Sequence, residues 1–295
     1  LQATLGASAF LGLSLAACND KNNIQELIDN TSKNVNGSMF GFSDKKIDKV
    51  KIVIIGLGNR GNVLLQMFQY LVENNHAEII ALCDIQKNKI DKANSILKKW
   101  QSKKATNYYS SSEDWKNLAK REDIDLVIIA TPWRMHTPMS LFCMENNKHV
   151  ACEVPIAYKL EDCWKLTQTS EKMKKHCIML ENCNYNQEEL WILNMIQEGV
   201  FGDITHTEGA YLHDLRALLL DEKYYQGQWR LHQHANRNGN FYTTHGLGPI
   251  SFYLNIGRGD TFSHLTSMST REKNLSIAAK QVNHHIKEYK CGDMN

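Results

Sequence analysis

The chain has 295 residues, 34 Lys and Arg against 32 Asp and Glu, and 42% hydrophobic residues. That length buries a full core and suits two domains, while a net charge of +2 with scattered lysines, as at Lys98, Lys99, Lys103 and Lys104, excludes a nucleic-acid partner. Eight cysteines form no C-x-x-C pair and no zinc-ligand spacing, so neither a metal site nor an obligatory disulfide framework is expected.

Residues 1–18 are small and apolar, with no charge before Asp20, and read as an export signal too short to span a membrane. Their end, Leu15-Ala16-Ala17-Cys18, has the form of a bacterial lipobox. It predicts a lipid anchor at Cys18 and a place in the bacterial cell envelope or periplasm; the alternative is a simple signal peptide with an incidental cysteine. The chain starts at Leu1 without an initiator Met, so an incomplete N-terminus is expected. Residues 19–48, rich in Asn, Ser, Lys and Asp, read as a linker.

A nucleotide-binding domain is expected over residues 49–180. Val50 to Ile55 is a short buried strand that runs into Gly56, Gly58 and Gly61, the G-x-G-x-x-G spacing of a dinucleotide-binding turn. The first glycine allows the turn, the second lets backbone approach a pyrophosphate, and the third lets the next helix pack on the strand. That helix is expected over Val63 to Val72, with Val63, Leu64, Met67, Phe68 and Leu71 facing inward. Glu78 to Cys83 is the second strand and ends at Asp84, placed to bind a ribose 2′-OH. A carboxylate there repels a 2′-phosphate, so the cofactor expected is NAD rather than NADP.

Lys87 to Gln101 reads as a helix with Ile90, Ala93, Leu97 and Trp100 toward the core, and a further helix starts near Ser112 to Trp115. Ile124 to Ala130 and His149 to Cys152 are near-continuous apolar strands, as in a parallel sheet covered on both faces. They deliver Trp133-Arg134-Met135-His136 and Glu153-Val154-Pro155 to the carboxyl edge, where open α/β sheets bind ligands. His136 either touches the nicotinamide half of the cofactor or caps the helix of residues 138–146. A helix near Glu161 to Lys175 and a strand at Cys177 to Leu180 complete a doubly wound α/β pattern.

Residues 181–295 form the second domain. Between Tyr211 and His245 lie His213, Asp214, Arg216, Trp229, Arg230, His232, His234 and Tyr242, dense for residues that only fill a core. His232 and His234 alternate as on a strand or loop and receive no role. Tyr242 and His245, three apart, share one face of a helical turn, so a phenol and an imidazole can converge on one substrate carbon; the bland alternative is a hydrogen-bonded core pair.

The glycine turn, the Thr131-Pro132 strand end and the E-x-P after the fifth strand resemble the glucose-fructose oxidoreductase and inositol dehydrogenase superfamily. Its motif is usually Glu-Lys-Pro with a catalytic lysine, and this chain has Val154 there. In detail, from Lys49 onward, the chain resembles the NAD-dependent glycosidases of family 109, the α-N-acetylgalactosaminidases. The matching segments are Trp133 to His136, Glu153-Val154-Pro155, Leu180 to Cys183, Glu208 to Tyr211 with His213 to Arg216, Trp229-Arg230 and Tyr242 to Pro249. Where relatives show Tyr-Pro-Thr-His this chain has Thr243, at some cost in loop rigidity.

The resemblance implies a Rossmann domain followed by an α/β open-sheet substrate domain, incomplete at its C-terminus here. It implies redox-assisted cleavage of a glycan ending in α-N-acetylgalactosamine, outside the two-carboxylate mechanism. It assigns cofactor contacts to Gly56, Gly58, Asn59, Arg60, Gly61, Asp84, Trp133, Arg134, Met135, His136, Glu153, Val154, Asn182 and Tyr242. Substrate contacts fall to Tyr211, Arg230, Tyr242, Thr243, Thr244 and His245, with Tyr242 and His245 as the acid/base pair in either order. The rival expectations are an ordinary NAD-dependent sugar dehydrogenase, which Val154 disfavours, and a non-catalytic envelope lipoprotein that binds nucleotide or glycan. A homo-oligomer is compatible with the sequence.

Overall fold

A computed structural model describes Met39, residues 41–257 and residues 259–294. The expected export signal, Cys18 and the linker up to residue 38 lie outside the described residues. No helix among the described residues is long and apolar enough to cross a membrane. Two compact units part between Leu180 and Glu181.

The first unit is a six-stranded parallel sheet of β1 (Val50–Ile55), β2 (Ala77–Cys83), β3 (Thr106–Tyr108), β4 (Leu126–Ile129), β5 (His149–Cys152) and β6 (Cys177–Met179). Their order is β3-β2-β1-β4-β5-β6, the doubly wound arrangement whose direction reverses beside β1. Ile52 to Ile55 pair with Leu126 to Ile129 without a shift. Successive side chains enter opposite cores: Val53, Ile55, Val127 and Ile129 on one face, Ile52, Ile54 and Ile128 on the other. Burial on both faces is why these strands read as unbroken apolar runs. β3, Thr-Asn-Tyr on the sheet edge, has no such run and was not expected.

The crossovers are α1 (Asn59–Met67) and α2 (Gln69–Glu73), α3 (Lys87–Leu97), α4 (Asp114–Ala119), α5 (His136–Glu145) and α6 (Leu160–Met173). The first helix begins four residues ahead of the expected Val63. It buries Gly61, Asn62, Leu64 and Leu65, while Val63, Met67 and Leu71 are exposed. Its phase is set by Gly61, where a Cβ would collide with the Gly56 carbonyl oxygen. With Gly61 against the strand, residues three and four further on must face inward, which turns the expected stripe by one residue. In α3, Ile90, Ala93 and Leu97 are buried as expected, whereas the helix stops at Leu97 and Trp100 packs only partly.

At the amino ends of β5 and β6, Asp44 Oδ2 meets His149 Nε2 at 2.9 Å and Lys175 Nζ at 2.8 Å. His149 stacks on His176 with ring centroids 5.2 Å apart, and Phe42 lies 5.2 Å from His176. Hydrogen bonding from Lys175 foremost holds the Asp44 carboxyl far below the usual carboxylate range.

The second unit contains α7 (Gln187–Gln197), α8 (Arg216–Leu220), α9 (Trp229–Asn236), α10 (Thr243–Tyr253) and α11 (Asn274–Gln281). Leu219, Leu231, Leu275, Ala279 and Tyr289 form its core. The expected open sheet is not found among the described residues, which hold one isolated bridge, Ile256 to Asp260. Residues 203–215 and 261–273 have no regular structure apart from a bend at Asp203; residues 270–271 do meet 293–294, where the Thr270 N–H donates to the Met294 carbonyl at 3.0 Å, without extending into a strand ladder. His232 and His234 lie on α9, not on a strand or loop, because Leu231 and Ala235 anchor that segment to the core at helical spacing.

Candidate functional site

In the first unit the glycine turn is built as its chemistry requires. Gly56 has φ 91°, and a Cβ there would come 2.5 Å from the Ala130 carbonyl oxygen. A Cβ on Gly58 would meet nothing within 4 Å. Protein packing therefore does not demand glycine at 58, whereas close approach of a pyrophosphate does. Gly58 is the N-cap of α1 and supplies no side-chain cap, so N–H groups of the first turn remain for an anion. The Asn62 amide pins the turn from beneath through the carbonyls of Leu57 at 2.5 Å and Gly58 at 2.9 Å.

Asp84 follows β2 at the same edge. One of its oxygens accepts the Leu57 N–H at 2.7 Å and the other the Gln86 N–H at 2.9 Å. The carboxylate thus braces the glycine turn while keeping lone pairs for a ribose hydroxyl. Arg60 Nε donates to Glu153 Oε1 at 2.5 Å, which ties α1 to the loop after β5. Asn59 is exposed and Val154 buried. Trp133, Arg134 and Met135 form one 3-10 turn after β4, with Trp133 buried and Arg134 exposed.

His136 is 1% exposed, with Nε2 at 2.7 Å from the Thr131 carbonyl and Nδ1 at 2.8 Å from the Pro155 carbonyl. Each ring nitrogen thus lies within hydrogen-bonding distance of a backbone carbonyl, and the neutral ring donates from one of them, so the imidazole joins two loops. Burial lowers its pKa, against the pull of the two carbonyls and of Glu153. The glycine cradle, the open face at Gly58 and the carboxylate of Asp84 fit a dinucleotide with an unphosphorylated ribose.

In the second unit, Tyr211, Arg230, Tyr242 and His245 are brought together. Tyr242 precedes α10 and His245 sits in its first turn, with their rings stacked at 5.0 Å and 15°. Tyr211 lies 4.7 Å from the His245 ring and 5.7 Å from Tyr242. The buried Arg230 guanidinium stands over Tyr242 at 4.4 Å, and its Nη1 donates to the Tyr225 hydroxyl at 2.7 Å. Thr243 is exposed and Thr244 partly buried; Asn182 is exposed. Asp214 and Arg216 pair with each other at the surface. Close backbone contact makes this possible: a Cβ on Gly209 would come 2.8 Å from the Gly246 carbonyl oxygen, so the chain entering Tyr211 lies directly on α10.

The sequence did not single out the partner that completes the cluster. Glu181, 2% exposed, accepts His245 Nδ1 at 2.6 Å and the Cys183 N–H at 2.9 Å, both on Oε1. Burial pushes the Glu181 carboxyl up, yet hydrogen bonding to His245, the neighbouring Thr244 hydroxyl and the Cys183 N–H outweighs it and leaves the pKa low. Thr244 adds this influence without a well-formed bond. A buried carboxylate on Nδ1 keeps the N–H on that nitrogen and the lone pair on Nε2, the arrangement of an oriented general base. Glu181 stands two residues past the last strand, β6; that position was the one available signal, and the 64-residue separation from His245 hid the pairing.

Residues 50–181 match the model described as an oxidoreductase family with an NAD-binding Rossmann fold, and residues 185–295 match the glycosyl hydrolase 109 C-terminal domain. A glycosyl hydrolase family 109 protein of Shewanella putrefaciens is 41% identical over 88% of this chain and 57% of its own length. Another, from Shewanella sp. strain ANA-3, is 42% identical over 84% of this chain and 53% of its own. The chain thus spans about half the length of the curated relatives it matches. A scyllo-inositol dehydrogenase of Lactobacillus casei, solved with NAD(H) and scyllo-inositol, is 21% identical with a TM-score of 0.45, covering 53% of this chain and 43% of that one. The first unit is an NAD-binding Rossmann domain, and the chain belongs to glycosyl hydrolase family 109.

Proposed function

We propose that this chain carries the catalytic groups of a glycosidase that releases terminal α-linked N-acetylgalactosamine from glycans. The observation that carries the reading is the Glu181–His245 pair with Tyr242, Tyr211 and Arg230, in the unit that matches the family 109 C-terminal domain. Bound NAD would supply a resident hydride store, oxidising C3 of the sugar and later reducing it, so that turnover is redox-neutral.

The chain's own residues have the proton work. A ketone at C3 acidifies the hydrogen on C2, and His245, oriented by Glu181, removes it. The aglycone then leaves C1, its oxygen taking a proton from the Tyr242 phenol. Arg230 supplies fixed positive charge where negative charge develops on the sugar oxygens. Water adds to the resulting double bond, with hydroxyl to C1 and hydrogen to C2, and Tyr242 and His245 return to their starting states. Gly56, Gly58, Arg60, Asp84 and Glu153 would hold the cofactor. Val154, in place of a lysine, leaves no amine to serve as a dehydrogenase base, consistent with elimination rather than net oxidation.

The test is p-nitrophenyl α-N-acetylgalactosaminide in D2O. Deuterium at C2 of the released sugar is expected, and product without it overturns the elimination route. Steady accumulation of NADH with free sugar would instead mark a dehydrogenase. The same reading keeps the envelope location with an anchor at Cys18, checked by fatty-acid labelling that Cys18→Ser should abolish.

A further inference from the structure

Glu181, Cys183 and His245 each present one ligand atom, and these three atoms lie within 4.8 Å of one another. Glu181 caps a 3-10 turn (Asn182–Tyr185) that contains Cys183 two residues on, and His245 comes from α10. The two segments are locked together at Gly248, where a Cβ would sit 3.0 Å from Glu181 Cγ and collide with the Asn184 amide oxygen. Glu181 Oε1 takes both available N–H groups, and the buried Oε2 has no hydrogen-bond partner. The glycosidase reading gives Cys183 no task. Carboxylate, thiol and imidazole together make the mixed oxygen, sulfur and nitrogen set that suits zinc, with three protein ligands and a fourth position open.

We propose that Glu181, Cys183 and His245 form a three-ligand site for a divalent zinc-like cation, and that metal bound there takes His245 out of catalysis. Bonds of about 2.0–2.3 Å to a tetrahedral ion set neighbouring ligand atoms roughly 3.3–3.7 Å apart. From a spread of at most 4.8 Å, side-chain rotation of about 1 Å suffices. The Nδ1–H···Oε1 hydrogen bond is exchanged for two metal bonds, the imidazole proton moves from Nδ1 to Nε2, and the thiol proton goes to solvent. No electron is transferred. The sequence hid this site because its ligands come from two distant segments, not from one closely spaced motif.

The claim about inhibition rests on the glycosidase reading; the claim about binding does not. Full chain freed of metal by chelator is titrated with Co2+, which gives an intense thiolate charge-transfer band when sulfur is a ligand. One equivalent should produce that band in the native chain, and Cys183→Ser should abolish it and weaken Zn2+ binding at least about 100-fold. The exposed Cys163 serves as control. No band in the native chain, or a band lost in Cys163→Ser and kept in Cys183→Ser, overturns the proposal. Zn2+ should abolish turnover of the native chain while Cys183→Ser stays active; equal inhibition of both overturns the inhibitory role. If the band appears and no glycoside is ever hydrolysed, the glycosidase reading fails and the metal site stands.

Discussion

Replacing Glu181 separates its charge from its shape. In Glu181→Gln the amide oxygen can still accept both N–H groups that now converge on Oε1, so the change removes charge and little else. A hydrogen bond to a charged group contributes about 1.5–3 kcal/mol against about 0.5–1.5 for a neutral one. The difference of about 1–1.5 kcal/mol should lower kcat roughly 5- to 13-fold. Glu181→Ala removes the bond outright and should lower kcat roughly 13- to 150-fold. KM should hardly move, because Glu181 is 2% exposed and acts through His245. Initial rates on the p-nitrophenyl glycoside give both constants, with near-ultraviolet circular dichroism confirming the fold. Both variants within twofold of the native kcat, or a change confined to KM, would refute the positioning role.

Gly248→Ala should cost about 1–3 kcal/mol by overpacking against Asn184 and Glu181, read as a Tm lowered by several degrees with kcat reduced beside it; an unchanged Tm contradicts the close packing. Gly56→Ala forces a side chain to φ 91° against the Ala130 carbonyl and should abolish NAD binding in a tryptophan-fluorescence titration, whereas binding within threefold of native argues against a tight turn. Asp84→Ala should weaken NAD binding by about 1.5–3 kcal/mol through lost support of Leu57 and Gln86, and bring NAD and NADP affinities closer; a preference left intact would exclude Asp84 as the discriminator. Burial first and Arg230 second hold His234 at about 4, below its ordinary 6.5. As pH falls the unfolded chain takes up that proton first. Stability from neutral His234, up to about 3 kcal/mol, is thus complete above about pH 6.5 and lost by about pH 4. Urea melts at pH 7 and 4.5 check this, with His234→Phe expected to flatten the slope.

Strands β1, β2, β4 and β5 were legible because both faces of the sheet are covered, which writes an apolar residue at nearly every position. The edge strand β3 carries no such mark. The glycines announced the turn but hid the helix: a reading by apolar spacing starts it at Val63, while the fold starts it at Asn59 so that Gly61 can meet Gly56. Tyr242 and His245 could be paired on the page because one helical turn relates them. Glu181, Arg230 over Tyr242, and the His136 staple could not, since each depends on chain segments that only tertiary packing brings together. Tyr225, the anchor of Arg230, went unread for the same reason.

The contacts of Asp44 with His149 and Lys175 have a mechanical meaning. They fasten the incoming chain to His149 and Lys175 at the amino ends of β5 and β6, while the glycine turn and Glu153 stand at the carboxyl ends of β1 and β5. A pull on the chain ahead of Asp44 is therefore received at the rear of the sheet and spread along its strands. The loops at the front edge, with the nucleotide cradle, stand at the opposite end of the strands from that attachment.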